Sequence, residues 1–141
     1  MTIQQKNYAI DEIGSLENLV HHNFHGVPGK RFIGKNLGLT GCEVSINRLP
    51  AGEGMPFIHA HRKNEELYVV LGGSGVFYVD EEEFPICEGS LIRVSPDGAR
   101  GLTAGSTDLY FICIQAEENS LTQTTLEDGY RIDARASWMG N

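Results

Sequence analysis

Short apolar or alternating runs recur through the middle of the chain, each closed by a turn signal. They are Cys42–Leu49, Glu66–Leu71, Gly75–Val79, Phe84–Cys87, Ser90–Val94, Arg100–Thr103 and Leu109–Gln115. Between them stand Pro50-Ala51-Gly52-Glu53-Gly54, Gly72-Gly73, Asp80–Glu83, Glu88-Gly89, Ser95-Pro96-Asp97-Gly98 and Ala104-Gly105-Ser106-Thr107. Strand-length runs at a spacing of about 8–12 residues, with no long helical pattern among them, predict a sandwich or barrel. Gly72-Gly73 between two β-rich runs predicts a hairpin, and Asp80–Glu83 reads as a solvated hairpin turn.

The ends of the chain are less periodic. Ile10–Val20 allows a short helix after Asp11 or Ser15, followed by a loop through His21, His22, His25 and Gly26-Val27-Pro28-Gly29. The last stretch is mixed and polar and reads as an edge strand with a tail, pinned to the surface by Trp138. The expected organisation is an N-terminal extension over residues 1–38 that packs on the barrel, a barrel core over 39–118, and a C-terminal edge strand and tail over 119–141.

Composition narrows the function classes. The chain has 141 residues, which suits one domain, and 17 glycines, which favour many tight turns over a helical bundle. A net charge of −8 argues against nucleic acid and anionic membrane surfaces as partners. The three cysteines, Cys42, Cys87 and Cys113, are odd in number and widely spaced. They fit free thiols in a reducing compartment better than a disulfide framework. The polar start, Met1–Glu12, lacks the apolar stretch of a signal peptide. The expectation is a soluble, cytoplasmic protein.

The chemistry concentrates in Phe57-Ile58-His59-Ala60-His61-Arg62-Lys63-Asn64-Glu65-Glu66-Leu67-Tyr68. On a strand, His59 and His61 point to the same face. Glu65 shares their parity, but on one straight strand it would lie roughly 20 Å from His59. If the chain reverses at Arg62-Lys63-Asn64, Glu65 begins the next strand beside both imidazoles, and metal–ligand bonds of about 2.0–2.2 Å come within reach. Glu66, of opposite parity, reads as solvated or at a partner interface. His21, His22 and His25 fit no single face and read as exposed loop. Arg93 and Arg100 flank a later turn; either is a candidate for binding a substrate carboxylate bidentately. Tyr68, Phe77, Tyr78, Tyr110, Phe111 and Cys113 read as core or interface residues.

Gly54, His59, His61, Glu65 and Gly72 resemble the first motif of the cupin superfamily: a glycine, His-x-His, three or four residues, Glu, six residues, glycine. Gly89-Ser90-Leu91-Ile92-Arg93-Val94-Ser95-Pro96-Asp97-Gly98 is similar to the second, a glycine, a short strand and a Pro-x-Gly turn. The resemblance covers roughly residues 40–115. It implies an all-β fold, a small antiparallel jelly-roll barrel with a short helical or irregular N-terminal segment, often as a homodimer. It also implies one divalent metal ion, Zn, Fe, Mn or Ni, held by His59, His61 and Glu65. The family usually places a fourth ligand, a histidine, three residues after the Pro-x-Gly turn; here that residue is Gly101. The ligand set becomes two His and one carboxylate, as in non-haem iron oxygenases, and Zn²⁺ accepts the same three plus water. Loss of one imidazole should weaken the site, even to leaving it empty. The expected function is a small-molecule-binding metal cupin, with oxygenation, isomerisation and decarboxylation all compatible. The alternative is a non-enzymatic ligand-binding or sensor barrel with a degenerate metal site.

Overall fold

The computed structural model describes residues 2–140. Twelve strands follow in order: β1 (Thr2–Gln4), β2 (Ala9–Asp11), β3 (Asn23–Phe24), β4 (Val27–Pro28), β5 (Lys30–Phe32), β6 (Glu43–Leu49), β7 (Asn64–Gly72), β8 (Ser74–Val79), β9 (Glu82–Cys87), β10 (Leu91–Val94), β11 (Arg100–Ala104) and β12 (Leu109–Glu117). Helix is confined to short segments: α1 (Gly34–Leu37), α2 (Thr125–Asp128) and two 3₁₀ segments, Leu16–His21 and Ser137–Met139. Ser15 caps the first 3₁₀ segment, its Oγ accepting from Glu17 N. The short helix foreseen in this region therefore starts after Ser15, while Ala9–Asp11 is extended. No described helix is long and apolar enough to cross a membrane.

Two antiparallel sheets form the barrel. One has five strands in the order β10-β7-β12-β6-β5, the other three in the order β11-β8-β9. Alternation sets the core between them. On β7, Glu66, Tyr68 and Val70 face inward while Leu67 and Leu71 face out; on β12, Leu109, Phe111 and Cys113 face inward. Phe77 of β8 is fully buried, 5.0 Å edge-on from the Tyr68 ring and 5.5 Å from Phe84, on which it stacks. The all-β barrel expected from the sequence is the observed architecture.

Three local expectations are corrected. Gly72-Gly73 does not close a hairpin, because β7 and β8 lie in different sheets and the chain crosses between them there. Gly73 has φ +81, and a Cβ on it would lie 1.9 Å from the Asp108 carbonyl oxygen, so the crossing demands glycine. The tight hairpin falls one strand later, between β8 and β9, where Asp80 and Glu81 take positive φ. Second, the stretch after Glu117 contains no strand among the described residues, and Trp138 is 84% exposed, so it pins nothing. Its apolar side chains, Leu121, Leu126 and Ile132, are too isolated to build a buried edge. Third, the N-terminal extension does more than pack on the barrel: β5 pairs with β6 and completes the five-stranded sheet.

Phe77→Ala should lower the unfolding free energy by about 3–5 kcal/mol, because an aromatic ring central to both sheets leaves a cavity. Urea denaturation with an unchanged m value checks this; a loss below about 1 kcal/mol would mean that the two sheets do not share one core.

Candidate metal centre

The segment before β7 lies beside β11. Gly54 bridges Thr103, and His59 bridges Arg100, with His59 N to Arg100 O at 3.1 Å and Arg100 N to His59 O at 2.9 Å. His61 N donates to Pro96 O at 2.9 Å. These backbone bonds extend the smaller sheet and turn both imidazoles inward, their ring centroids 5.2 Å apart. The chain then bends at Arg62-Lys63 and enters β7 in the larger sheet. The chain reversal expected from the spacing is present, but His59 and His61 are held by an isolated bridge and one backbone bond rather than by a strand of their own.

The bend changes which carboxylate arrives. β7 already begins at Asn64, and its inward residue is Glu66, not Glu65. Glu65 points to the outer face, its Oε2 3.9 Å from Arg93 Nη1. Parity counted from the histidines does not survive a bend, because the bent residues belong to neither strand's pleat. Glu66, expected to be solvated or at an interface, is instead 3% exposed. The sequence carried a signal for this: Glu66 and Gly73 also satisfy the motif's spacing, with four residues after His61 and six between Glu66 and Gly73. The doubled glutamates and doubled glycines shift together by one, so spacing alone fits both frames.

Glu66 is the hub of the site. Tyr68 Oη donates to its Oε1 at 2.8 Å and Cys113 Sγ to its Oε2 at 3.2 Å. His59 Nε2 lies 3.6 Å from Oε1, His61 Nε2 3.3 Å from Oε2 and Arg100 Nε 3.7 Å from Oε1. Burial pushes the carboxyl up, but the contact with His59, the two hydrogen bonds and the nearby His61 outweigh it and lower it to about 2. Burial and the Glu66 charge raise the Tyr68 hydroxyl and the Cys113 thiol, so both stay neutral donors. Cys113 thus has the core position expected of it and also holds the carboxylate.

The donor atoms fit a divalent ion. Ligand atoms of His59, His61 and Glu66 all lie within 4.8 Å of one another. The two imidazole–carboxylate distances, 3.3 and 3.6 Å, are close to the roughly 3.0–3.4 Å spanned by two metal–ligand bonds of about 2.1 Å at tetrahedral or octahedral angles. His61 Nε2 is buried with no hydrogen-bond partner, a costly state unless something binds there. His21, His22 and His25 do not join this group.

The arginine candidates separate. Arg93 is largely exposed and bonds Ser95 Oγ beside Glu65. Arg100 is fully buried, its Nη2 bonded to Ser95 O and its Nε and Nη1 without partners. A Cβ on Gly101 would meet Ile58 and the Phe57 carbonyl, so the β11 side chain that reaches Glu66 is Arg100.

A cavity of about 180 Å³ opens beside the triad. Phe24, Phe32, Met55, Phe57 and Phe111 form apolar walls, and Lys30 of β5 enters it. Lys30 Nζ donates to Ser45 Oγ at 3.2 Å and Asn47 Oδ1 at 3.1 Å, and sits 5.0 Å from the Phe32 ring centre. Burial lowers its pKa, opposed by the neighbouring Cys113 and the Glu66 carboxylate. Sequence reasoning missed Lys30 because β6 turns polar Ser45 and Asn47 inward and apolar Val44 and Ile46 to the half-covered outer face.

Since the folded-state pKa of Glu66 is lowered from 4.5, its stabilisation is present above about pH 4.5 and lost as pH falls towards 2. Metal-free Glu66→Gln should therefore show a flatter decline in urea-unfolding free energy from about pH 6 to about pH 3, by a few kcal/mol at most. An unchanged slope would mean that Glu66 is not held ionised by its neighbours.

No family sequence model matches the chain, and no curated protein matches it. Solved structures do. A cupin protein from Bacteroides fragilis superposes with a TM-score of 0.79 at 36% identity, covering 91% of this chain and 99% of that one. A Thermotoga maritima protein described as a predicted oxalate decarboxylase gives 0.50 at 27% identity over 52% of this chain and 64% of its own. A Klebsiella pneumoniae protein with a double-stranded β-helix domain gives 0.63 at 17% identity over 78% and 93%, a likeness of fold alone. With near-complete mutual coverage at that first level of identity, and with two sheets closed around inward-facing His59, His61 and Glu66, the chain belongs to the cupin family.

Proposed function

We propose that this cupin binds one divalent metal ion through His59, His61 and Glu66 and presents it to a small molecule in the adjoining cavity. The observation that carries this reading is the buried, partnerless His61 Nε2 facing a carboxylate that its surroundings keep ionised. Two imidazoles and one carboxylate leave coordination positions open to substrate, a pattern shared by non-haem iron sites and by zinc sites that keep a water. When bound, such an ion supplies Lewis-acid polarisation of a carbonyl or carboxylate oxygen.

The chain's own residues prepare the site. Tyr68 and Cys113 fix the two carboxylate oxygens from the core side. The His59–Arg100 backbone bridge sets the tilt of one imidazole, and the bond to Pro96 sets the other. The apolar wall of Phe24, Phe32, Met55, Phe57 and Phe111 lowers the local polarity on one side of the triad, which strengthens charge interactions there. Oxygenation, isomerisation and decarboxylation all remain compatible with this arrangement. The guanidinium of Arg100 beside Glu66 favours a second reading, a ligand-binding barrel without metal, because it already offsets the carboxylate's charge.

Elemental analysis of protein purified without chelator and reloaded with Zn²⁺ or Fe²⁺ distinguishes the two. Wild type and Glu65→Gln should each hold about one ion per chain, while His61→Ala and Glu66→Gln should lose affinity by at least about tenfold. Wild type that stays empty after reloading would establish the metal-free barrel; loss of metal in Glu65→Gln would mean that the wrong carboxylate has been assigned.

A further inference from the structure

In a chain of net charge −8, the interior of this site is short of negative charge. Glu66 is its one buried carboxylate, and Arg100, fully buried, already stands against it. Lys30 adds a second cation. Two neutral acceptors, Ser45 Oγ and Asn47 Oδ1, take two of its three N–H groups, and among the described residues no carboxylate oxygen lies within ion-pair distance of its Nζ. Without an ion these groups carry one uncompensated positive charge; a divalent ion would make it three. Uncompensated charge in a cavity walled by Phe24, Phe32, Met55, Phe57 and Phe111 is expensive, and an anion entering from solvent relieves it.

Size and wall chemistry limit that anion. About 180 Å³ is room for roughly six waters, below the range of about 300–1,000 Å³ common for drug-sized ligands. We propose that the cavity takes a short organic dianion with an apolar middle, such as an aliphatic dicarboxylate, and that Lys30 anchors the carboxylate remote from the metal ligands through its third N–H. This rests on the metal reading for the dianion's other end, but the role of Lys30 can be tested separately. The anchor comes from β5, the strand that the N-terminal segment adds to the barrel. The segment therefore brings specificity as well as closure.

Calorimetric titration of the zinc-loaded protein with succinate, glutarate and adipate, each beside its monomethyl ester, tests the anchor. The ester keeps the length and removes one charge. Wild type should bind the best-fitting diacid at least about tenfold more tightly than its ester, the usual loss when a charged hydrogen bond is removed. Lys30→Met should erase that preference while zinc content, measured by elemental analysis, stays at the wild-type level, and Lys30→Arg should keep part of it. Equal binding of diacid and ester by wild type, or an undiminished preference in Lys30→Met, overturns the anchor. Should Lys30→Met fail to fold, the wild-type comparison of diacid with ester still decides. If wild type holds no zinc, the titrations run on the metal-free protein: a Lys30-dependent preference there upholds the anchor while ending the metal reading, and its absence ends both.

Discussion

The site depends on a reversal at Arg62-Lys63 that carries the chain from the edge of one sheet into the centre of the other. His59 and His61 are fastened to β11 and Pro96 by backbone hydrogen bonds, whereas Glu66 stands on β7, flanked by β10 and β12. The three donors therefore belong to opposite walls of the barrel. Their separation is set by the packing of the two sheets rather than by local chain flexibility. The same core that places Phe77 against Tyr68 also places Tyr68 Oη against Glu66, so the hydrophobic packing and the polar site share a side chain.

Glu66 shows how a buried carboxylate is kept charged. Desolvation alone would protonate it; two hydrogen bonds and the facing imidazoles reverse that tendency. Arg100 complicates this balance, since its guanidinium approaches the same Oε1 as Tyr68 and His59. A neutral imidazole in place of Arg100 would have offered a ligand, whereas a guanidinium offers only charge and N–H donors. The site is thereby shifted towards anionic ligands, and Lys30, entering the cavity from β5, shifts it the same way.

Much of this was legible in the sequence, and the failures have local causes. The barrel strands announced themselves by spacing, and the paired imidazoles by two-residue periodicity. The choice of carboxylate was not legible, because Glu65-Glu66 and Gly72-Gly73 offer two frames and a bend erases parity. The sheet crossing at Gly73 was mistaken for a hairpin because glycine serves both, and only the approach of the Asp108 carbonyl separates them. Lys30 was hidden because its strand is only three residues long and the neighbouring β6 turns Ser45 and Asn47 inward, so hydropathy does not mark the cavity face. Arg100 could be named as a candidate, but its burial depends on the bridge to His59, a contact 41 residues away along the chain.

The central claim is that one ion sits among His59, His61 and Glu66. An anomalous-difference map from crystals soaked in Zn²⁺, collected on both sides of the zinc absorption edge, addresses it most directly. The account predicts a single strong peak at about 2.0–2.2 Å from an imidazole nitrogen of His59, Nε2 of His61 and a carboxylate oxygen of Glu66. A map with no peak there, or with zinc on Glu65 at the outer face, would contradict it.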